Sequence, residues 1–328
     1  MHILAFLIRR AIQAVIVMFV ISIIGFSIQD NLGDPLRELV GQSVSEAERQ
    51  ALRDELGLND PFLVQYGRFL GNALQGDLGT SYFFKRPALE VIMDKFPATF
   101  ELVLGATFIF LALSIPGGIY CAINRDKWIA KAIMTGSIIG ISVPVFLTAI
   151  FLVWFFGVEL KWLPAFGRGD TITMPWGWDT GLLTLDGLSH LILPSIALSS
   201  IMLPLFIRLI RAEMMEAMGT DYVRFAKAKG LSTGRIRYVH AFRNTLLPVV
   251  TVGGLMIGTL IAYTILTETV FQWPGMGFLF LEAVNRVDTP LIIAYIIVVG
   301  LIFVVVNTLV DFIYTLINPM VKLPGAKS

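Results

Sequence analysis

Residues 211–267 read RAEMMEAMGT DYVRFAKAKG LSTGRIRYVH AFRNTLLPVV TVGGLMIGTL IAYTILT, a polar segment rich in Arg and Lys that runs directly into an apolar one. The apolar part, about Leu246–Thr267, is long enough for a helix to cross a bilayer, which takes roughly 20 mostly apolar residues for about 30 Å of hydrocarbon. Five further stretches meet the same test: about Ala11–Ile28, Thr99–Ile123, Ile129–Phe156, Leu191–Ile210 and Leu291–Ile317. The composition agrees, since 56% of the 328 residues are hydrophobic and 15% charged. Lipid is the expected solvent for much of this surface. The expected fold is an all-α integral membrane protein with six spans and a helical extracytoplasmic segment between spans 1 and 2. The chain divides accordingly into an N-terminal transmembrane helix (1–29), that segment (30–96), a five-helix core with a cytoplasmic loop at 211–245 (97–319), and a tail (320–328).

Orientation is read from Lys and Arg near span ends, which concentrate on the cytoplasmic side. With the N-terminus inside, the inner segments hold Arg9 and Arg10; Arg125, Lys127 and Lys131; Arg208, Arg211, Arg224, Lys227, Lys229, Arg235, Arg237 and Arg243; and Lys322 and Lys327. Those fifteen face only Lys161, Arg168 and Arg286 in the two short outer loops. The other seven lie in the loop 30–96, too long to count under this rule. Both ends are therefore expected in the cytoplasm. Arg9 and Arg10 before the first span suggest a signal peptide, but no small-residue cleavage pattern follows, so an uncleaved anchor is expected. Net charge is +1, which points to no nucleic acid. The single cysteine, Cys121, and three scattered histidines make a thiolate or zinc centre implausible.

The loop 30–96 carries helix signals of its own. Ser45 and Glu48 form a capping-box pattern, with Gly57 where that helix should stop. Asp60-Pro61 begins another, running to about Gln75, with Phe62, Tyr66, Phe69, Leu70 and Ala73 on one side. Gly76–Ser81 breaks it, Pro87 starts a short helix, and Pro97 leads into the second span. Two compatible readings stand: a cap over the bundle, and a docking surface for a delivery protein. Trp162, Trp176 and Trp178 in the loop 159–189 suit the membrane–water boundary.

The basic loop is the most informative part. Thr220 or Asp221 can cap a helix beginning at Tyr222, and Gly230 can end it in a left-handed turn. Lys227 and Lys229 sit in the last turn, where cations suit the helix dipole. Ser232 or Thr233 can cap a second helix running toward Pro248. Tyr222, Phe225, Ala226 and Lys229 share a face, and Ala226 is small enough for another protein to come close. A basic surface helix drawn to anionic lipid and a rigid knob for a protein partner are both compatible with this pattern.

Two segments make the pattern specific: Asp221-Tyr-Val-Arg-Phe-Ala-Lys-Ala-Lys-Gly-Leu231, and His240-Ala-Phe-Arg-Asn-Thr-Leu-Leu-Pro248. They resemble the inner-membrane permease subunits of dipeptide and oligopeptide ABC importers. Gly76–Ser81, Pro97–Leu102, His190–Pro194, Glu268–Gly275 and Val305–Asp311 also look like that family's recurring segments, in its order, across nearly the whole chain. The resemblance implies a permease core whose basic loop holds a coupling helix seated in a cleft of an ATPase subunit. Its implied coupling residues are Asp221, Tyr222, Arg224, Phe225, Ala226, Lys229, Gly230 and Leu231. Importer permeases carry a Glu-Ala-Ala motif there, with Gly four residues after the second Ala. Aligned on Gly230, the positions are Arg224, Phe225 and Ala226, so the leading Glu and first Ala are absent and Arg224 inherits no role from that Glu. Ala226 and Gly230 carry over most firmly, then Asp221 and Tyr222.

The resemblance further implies partners: a second homologous permease subunit, two ATPase subunits carrying ATP and Mg, an extracytoplasmic substrate-binding protein, and the lipid of a bacterial inner membrane. The chain has no Gly-x-x-x-x-Gly-Lys-Ser/Thr loop to cradle phosphates, so no catalytic residue, metal or cofactor is assigned to it. Pro116-Gly117-Gly118, Pro144 and Pro204 are expected to interrupt the second, third and fourth spans. Gly136/Gly140 and Gly254/Gly258 allow close helix approach. Glu101, Glu159, Glu268 and Asp311 lie in or near spans, where a mid-membrane charge costs about 2.5–3.5 kcal/mol, and are read as bundle-facing. Glu268 with Phe271, Trp273, Pro274 and Gly275 is the candidate pathway gate.

Peptide is the expected cargo, with nickel or oligosaccharide as alternatives within the same family. A secondary transporter or channel would use broken helices too, but no inverted repeat is evident. A membrane enzyme lacks support, since no His-Glu-x-x-His occurs and no His–carboxylate cluster falls within one span.

Overall fold

Apolar periods longer than 20 residues dominate the chain, and a computed structural model turns them into helices. It describes residues 2–28, 46–55, 59–175 and 177–317. Ser45, Gly57, Trp176, Lys322 and Lys327 lie outside the described residues. Four helical runs are long and apolar enough to cross a membrane: Ile8–Ser27, Ala88–Ile123, Thr233–Phe271 and Thr289–Ile313. Two bent pairs bring the number to six if each counts as one span. Trp128–Ser142 and Val145–Glu159 meet at 105°, and Leu185–Ser199 and Met202–Gly219 at 58°. The first bend falls at Pro144, as expected. Pro144 lacks a donor and sits extended (ψ 141°) ahead of Val145. The second falls at Ser200–Ile201, before Pro204, which lies inside the first turn of the following helix.

Two expected breaks are absent. The helix Ala88–Ile123 runs 36 residues through Pro97 and through Pro116-Gly117-Gly118. A Cβ on Gly118 would lie 2.6 Å from the Cβ of Ile210, so Gly118 serves close packing rather than interruption. Lipid-side chains and neighbouring helices, not propensity, decide whether such residues break a span.

The chain forms two compact units. One comprises Met1–Thr99 and Pro274–Val304. In it, helix α1 (His2–Ser27) meets a short helix, Phe62–Ala73, through an aromatic cluster in which Phe26 lies 5.6 Å from Phe62 and 5.7 Å from Tyr66. Tyr66 and Ser22 share a buried hydrogen bond of 2.7 Å. This is the side chosen by the sequence pattern. That helix starts one residue later than expected, with Pro61 rather than Asp60 at the cap. It ends where Asp77 N–H returns to Asn72 O (3.0 Å), with Gly76 at φ +86°. Ala88, Val91 and Ile92 then pack with Leu279 of the helix Met276–Asn285 and with Ile292 and Tyr295.

The same unit contains a carboxylate-held turn. Asp288, 1% exposed, accepts Ser81 Oγ–H (2.5 Å), Tyr82 N–H (3.1 Å) and Phe83 N–H (3.1 Å). Burial, and then the Asp288 charge, push the Tyr82 phenol up to about 12. The Arg286 guanidinium lies 3.5 Å from the centre of the Phe83 ring.

The second unit comprises Phe100–Trp273 and Val305–Ser328. Phe110 and Phe206 meet at 4.9 Å in its core. Gly254 faces Val310 with no room for a Cβ. Glu101, expected to face the bundle, is 1% exposed and receives Arg168 Nε (3.1 Å), an Arg168 terminal nitrogen (2.9 Å) and Gly181 N–H (3.1 Å). Both guanidinium contacts fall on Oε2 and Gly181 N–H takes Oε1, and together they fix a loop whose two short strands, Ile172–Thr173 and Asp179–Thr180, pair antiparallel. Glu159 is exposed, Trp162 is 70% exposed, and Trp178 packs edge-on against Phe100 at 5.7 Å.

Candidate functional site

The helix Met202–Gly219 hands over at Thr220 to an eight-residue helix, Asp221–Ala228. Thr220 occupies the cap position, but its hydroxyl donates back to Ala217 O (2.6 Å) rather than capping forward. Asp221 in the first turn and Lys227 in the last complement the helix dipole. The helix stops as its sequence dictates. Gly230 adopts φ +78°, Gly230 N–H returns to Lys227 O (2.9 Å) and Leu231 N–H to Ala226 O (3.3 Å). No atom lies within 4 Å of where a Gly230 Cβ would stand, so backbone torsion alone demands glycine.

The helix has two faces. Val223 (0% exposed) and Ala226 (6%) pack with Ile236, Met218 and Leu231. Tyr222, Arg224, Phe225, Lys227 and Lys229 are exposed, Phe225 to 62%. The expected shared face is thereby corrected: Ala226 turns inward, and its small side chain lets this loop close on itself rather than letting an outside protein approach. Lys229 Nζ lies 4.5 Å above the Phe225 ring, so the exposed aromatic surface carries positive charge. The ion pair of Arg224 with Asp221 (3.2 Å) is solvent-exposed and contributes little.

Ser232 caps the return, its hydroxyl accepting Arg235 N–H (3.4 Å), as expected of one of the two candidate residues. The chain then makes a π-helical turn, Ile236–Ala241, in which Phe242 N–H reaches back five residues to Arg237 O. It continues as the helix Phe242–Phe271 through Pro248. The Tyr222 hydroxyl donates to His240 O at 2.7 Å. Burial raises the Tyr222 phenol above its ordinary value, against the lowering effect of hydrogen bonds with Asn244 and Thr220. Nothing in the sequence signals this π turn, because a one-residue insertion leaves the apolar pattern nearly unchanged.

The candidate gate residues sit where the helix Phe242–Phe271 ends. Gln272 is left-handed (φ 49°), and Trp273 N–H closes the helix on Glu268 O at 2.8 Å. Glu268 (0% exposed), Phe271 (1%) and Trp273 (1%) are buried, Gly275 is buried and Pro274 half-buried. Phe271 O accepts Gly167 N–H (2.9 Å). Among the described residues no cluster of three or more His, Cys, Asp or Glu side chains could hold a metal. Sequence reasoning passed over Asp288 and Arg168, whose partners lie 207 and 67 residues away in the chain.

Comparison with known proteins supplies the biological frame. Residues 114–323 match the family described as binding-protein-dependent transport system inner membrane component, and residues 3–103 match the N-terminal part of such membrane components. The chain is 38% identical to a dipeptide transport system permease protein of Alkalihalophilus pseudofirmus, covering 97% of this chain and 99% of the relative. It is 36% identical to a di/tripeptide transport system permease protein of Pseudomonas aeruginosa, at 97% and 99% coverage. It is 35% identical to an oligopeptide transport system permease protein of Bacillus subtilis, again at 97% and 99%.

Proposed function

Because this chain belongs to the family of binding-protein-dependent transport system inner membrane components and is a permease subunit of a peptide ABC importer, we propose that Asp221–Leu231 is its coupling element toward an ATPase subunit. The carrying observation is the two-faced helix: Val223 and Ala226 anchor it inward while Phe225 and Lys229 stand outward without apolar cover. A 62% exposed phenylalanine beside a basic rim is a ready anchor for a partner cleft.

In this reading each bent pair is one span, giving six, and the fifteen inner Lys and Arg place both termini in the cytoplasm. The membrane is the bacterial inner membrane. A second, homologous permease completes the pathway, and an extracytoplasmic binding protein delivers peptide. The segment 30–96 lies on that outer side, available to the binding protein. ATP with Mg, held by two partner subunits, supplies the energy. Displacement of Asp221–Ala228 is passed to the two helices that flank it, Met202–Gly219 and Phe242–Phe271, as one rigid movement. The buried side chains Glu268, Phe271 and Trp273, toward the far end of the second of these helices, would respond as a gate.

The test is cross-linking. With Phe225→Cys in the assembled importer, a short bifunctional thiol reagent joins this chain to an ATPase subunit bearing a cleft cysteine. Cross-links to lipid-facing probes alone, or labelling of Phe225→Cys from outside intact cells, overturn the proposal.

A further inference from the structure

The exposed face of Asp221–Ala228 explains how a partner holds the loop, but not how a push on it avoids being absorbed in the turn behind. The weak point is Ile236–Ala241. A π-helical turn carries one residue more than an α-helical one, and such turns occur mostly as single insertions at functional positions. Losing the insertion changes the register of everything beyond it by one residue, about 100° of rotation and about 1.5 Å of rise, and sliding it does the same to the residues it passes.

Two contacts from the short helix bracket this turn. At its first residue, Ile236 is 1% exposed and packs with Val223 and Ala226. Near its last, the Tyr222 hydroxyl donates to the His240 carbonyl at 2.7 Å. The first contact is apolar and adaptable. The second is directional and takes a specific main-chain oxygen, so it distinguishes one register from the next. Loss of the hydroxyl leaves the aromatic ring in place and removes this directional contact together with the phenol's hydrogen bonds to Asn244 and Thr220.

We propose that Tyr222 is a positioning residue that locks the π turn Ile236–Ala241 in register, so that displacement of Asp221–Ala228 reaches the helix Phe242–Phe271 undiminished. This rests on the coupling reading above and adds to it a separate tie, made inside this chain. Tyr222 and Phe225 thereby have distinct duties: the phenyl ring of Phe225 engages the partner, and the phenol of Tyr222 fixes the turn.

The experiment compares Tyr222→Phe with the unaltered chain in the complete importer, reconstituted with its ATPase subunits and binding protein and supplied with a transported peptide. The expected result is a fall of about fivefold in peptide moved per ATP hydrolysed, the equilibrium effect of one ordinary hydrogen bond. Faster amide hydrogen exchange over residues 236–242 is expected alongside. A residue that merely stabilised the fold would lower transport and hydrolysis together, leaving their ratio unchanged. An unchanged ratio, or unchanged exchange at 236–242, overturns the inference while leaving the coupling reading intact. If Phe225→Cys fails to cross-link to the ATPase subunit in parallel samples, the coupling reading itself is lost and this inference with it.

Discussion

The turn Ser81–Phe84 and the helix Asp221–Ala228 are both short segments between longer helices, yet they are held by opposite means. The turn is gripped by one buried carboxylate, Asp288, which takes a hydroxyl and two main-chain amides. The helix rests on two small apolar side chains and a single phenol, with most of its surface exposed. The loop around Arg168 resembles the turn, being pinned by the buried Glu101. Buried, multiply bonded carboxylates make rigid structures that are costly to disturb. A helix with an uncovered aromatic face is completed by something outside the chain. On the proposed coupling, the contrast separates the parts that stay still from the part that a partner moves.

Substitutions can break this contrast, and they rank by effect on stability. Glu101→Ala strands the Arg168 guanidinium, whose side chain is only 10% exposed. It is expected to cost about 3–5 kcal/mol, read as loss of folded protein on heating in detergent. Asp288→Ala leaves the Ser81 hydroxyl and the Tyr82 and Phe83 amides without their acceptor, for an expected loss of about 3 kcal/mol by the same measurement. Gly230→Ala forces a side chain into a left-handed conformation at about 1–2 kcal/mol, with transport reduced in membrane vesicles. Phe225→Ala is expected to change stability by less than about 0.5 kcal/mol, yet to reduce co-purification of the ATPase subunits by about tenfold or more. If Phe225→Ala proves as destabilising as Asp288→Ala, the helix is part of the core and the contrast fails.

Alkaline titration sharpens the same comparison. The folded Tyr82 phenol holds its proton up to about 12, against 10.0 when unfolded. The folded state therefore binds more protons between those values, and its contribution to stability is complete below pH 10 and lost as pH rises toward 12. Thermal unfolding temperatures followed over that range should fall less for Tyr82→Phe.

Much of this was legible in the amino-acid order. The apolar stretches, the Gly230 stop, the Ser232 cap and the aromatic face of Phe62–Ala73 all follow from local chemistry, and the similarity to peptide permeases was carried by short segments in series. What stayed hidden was non-local or subtle. Pro116-Gly117-Gly118 looks like a break because proline and glycine disrupt isolated helices, but Ile210 packs against that site and the helix continues. Ala226 looks like an open contact until Ile236, ten residues on, closes over it. The partners of Asp288 and Glu101 are too distant in the chain for any spacing rule. The gate candidates Glu268, Phe271, Trp273, Pro274 and Gly275 follow from a carboxylate near a span end and the residues after it; the burial of Glu268, Phe271 and Trp273 and the left-handed Gln272 among them emerge only in three dimensions.

Lys229 resting over the Phe225 ring has a consequence for extraction and handling. A socket that admits the ring must receive an ammonium ion at its mouth, so acidic side chains are expected around the entrance. Rim attractions of that kind are screened over about 8 Å at physiological ionic strength and about 3 Å at 1 M. Concentrated salt in a wash buffer should therefore loosen the motor subunits from the membrane while leaving the bundle whole.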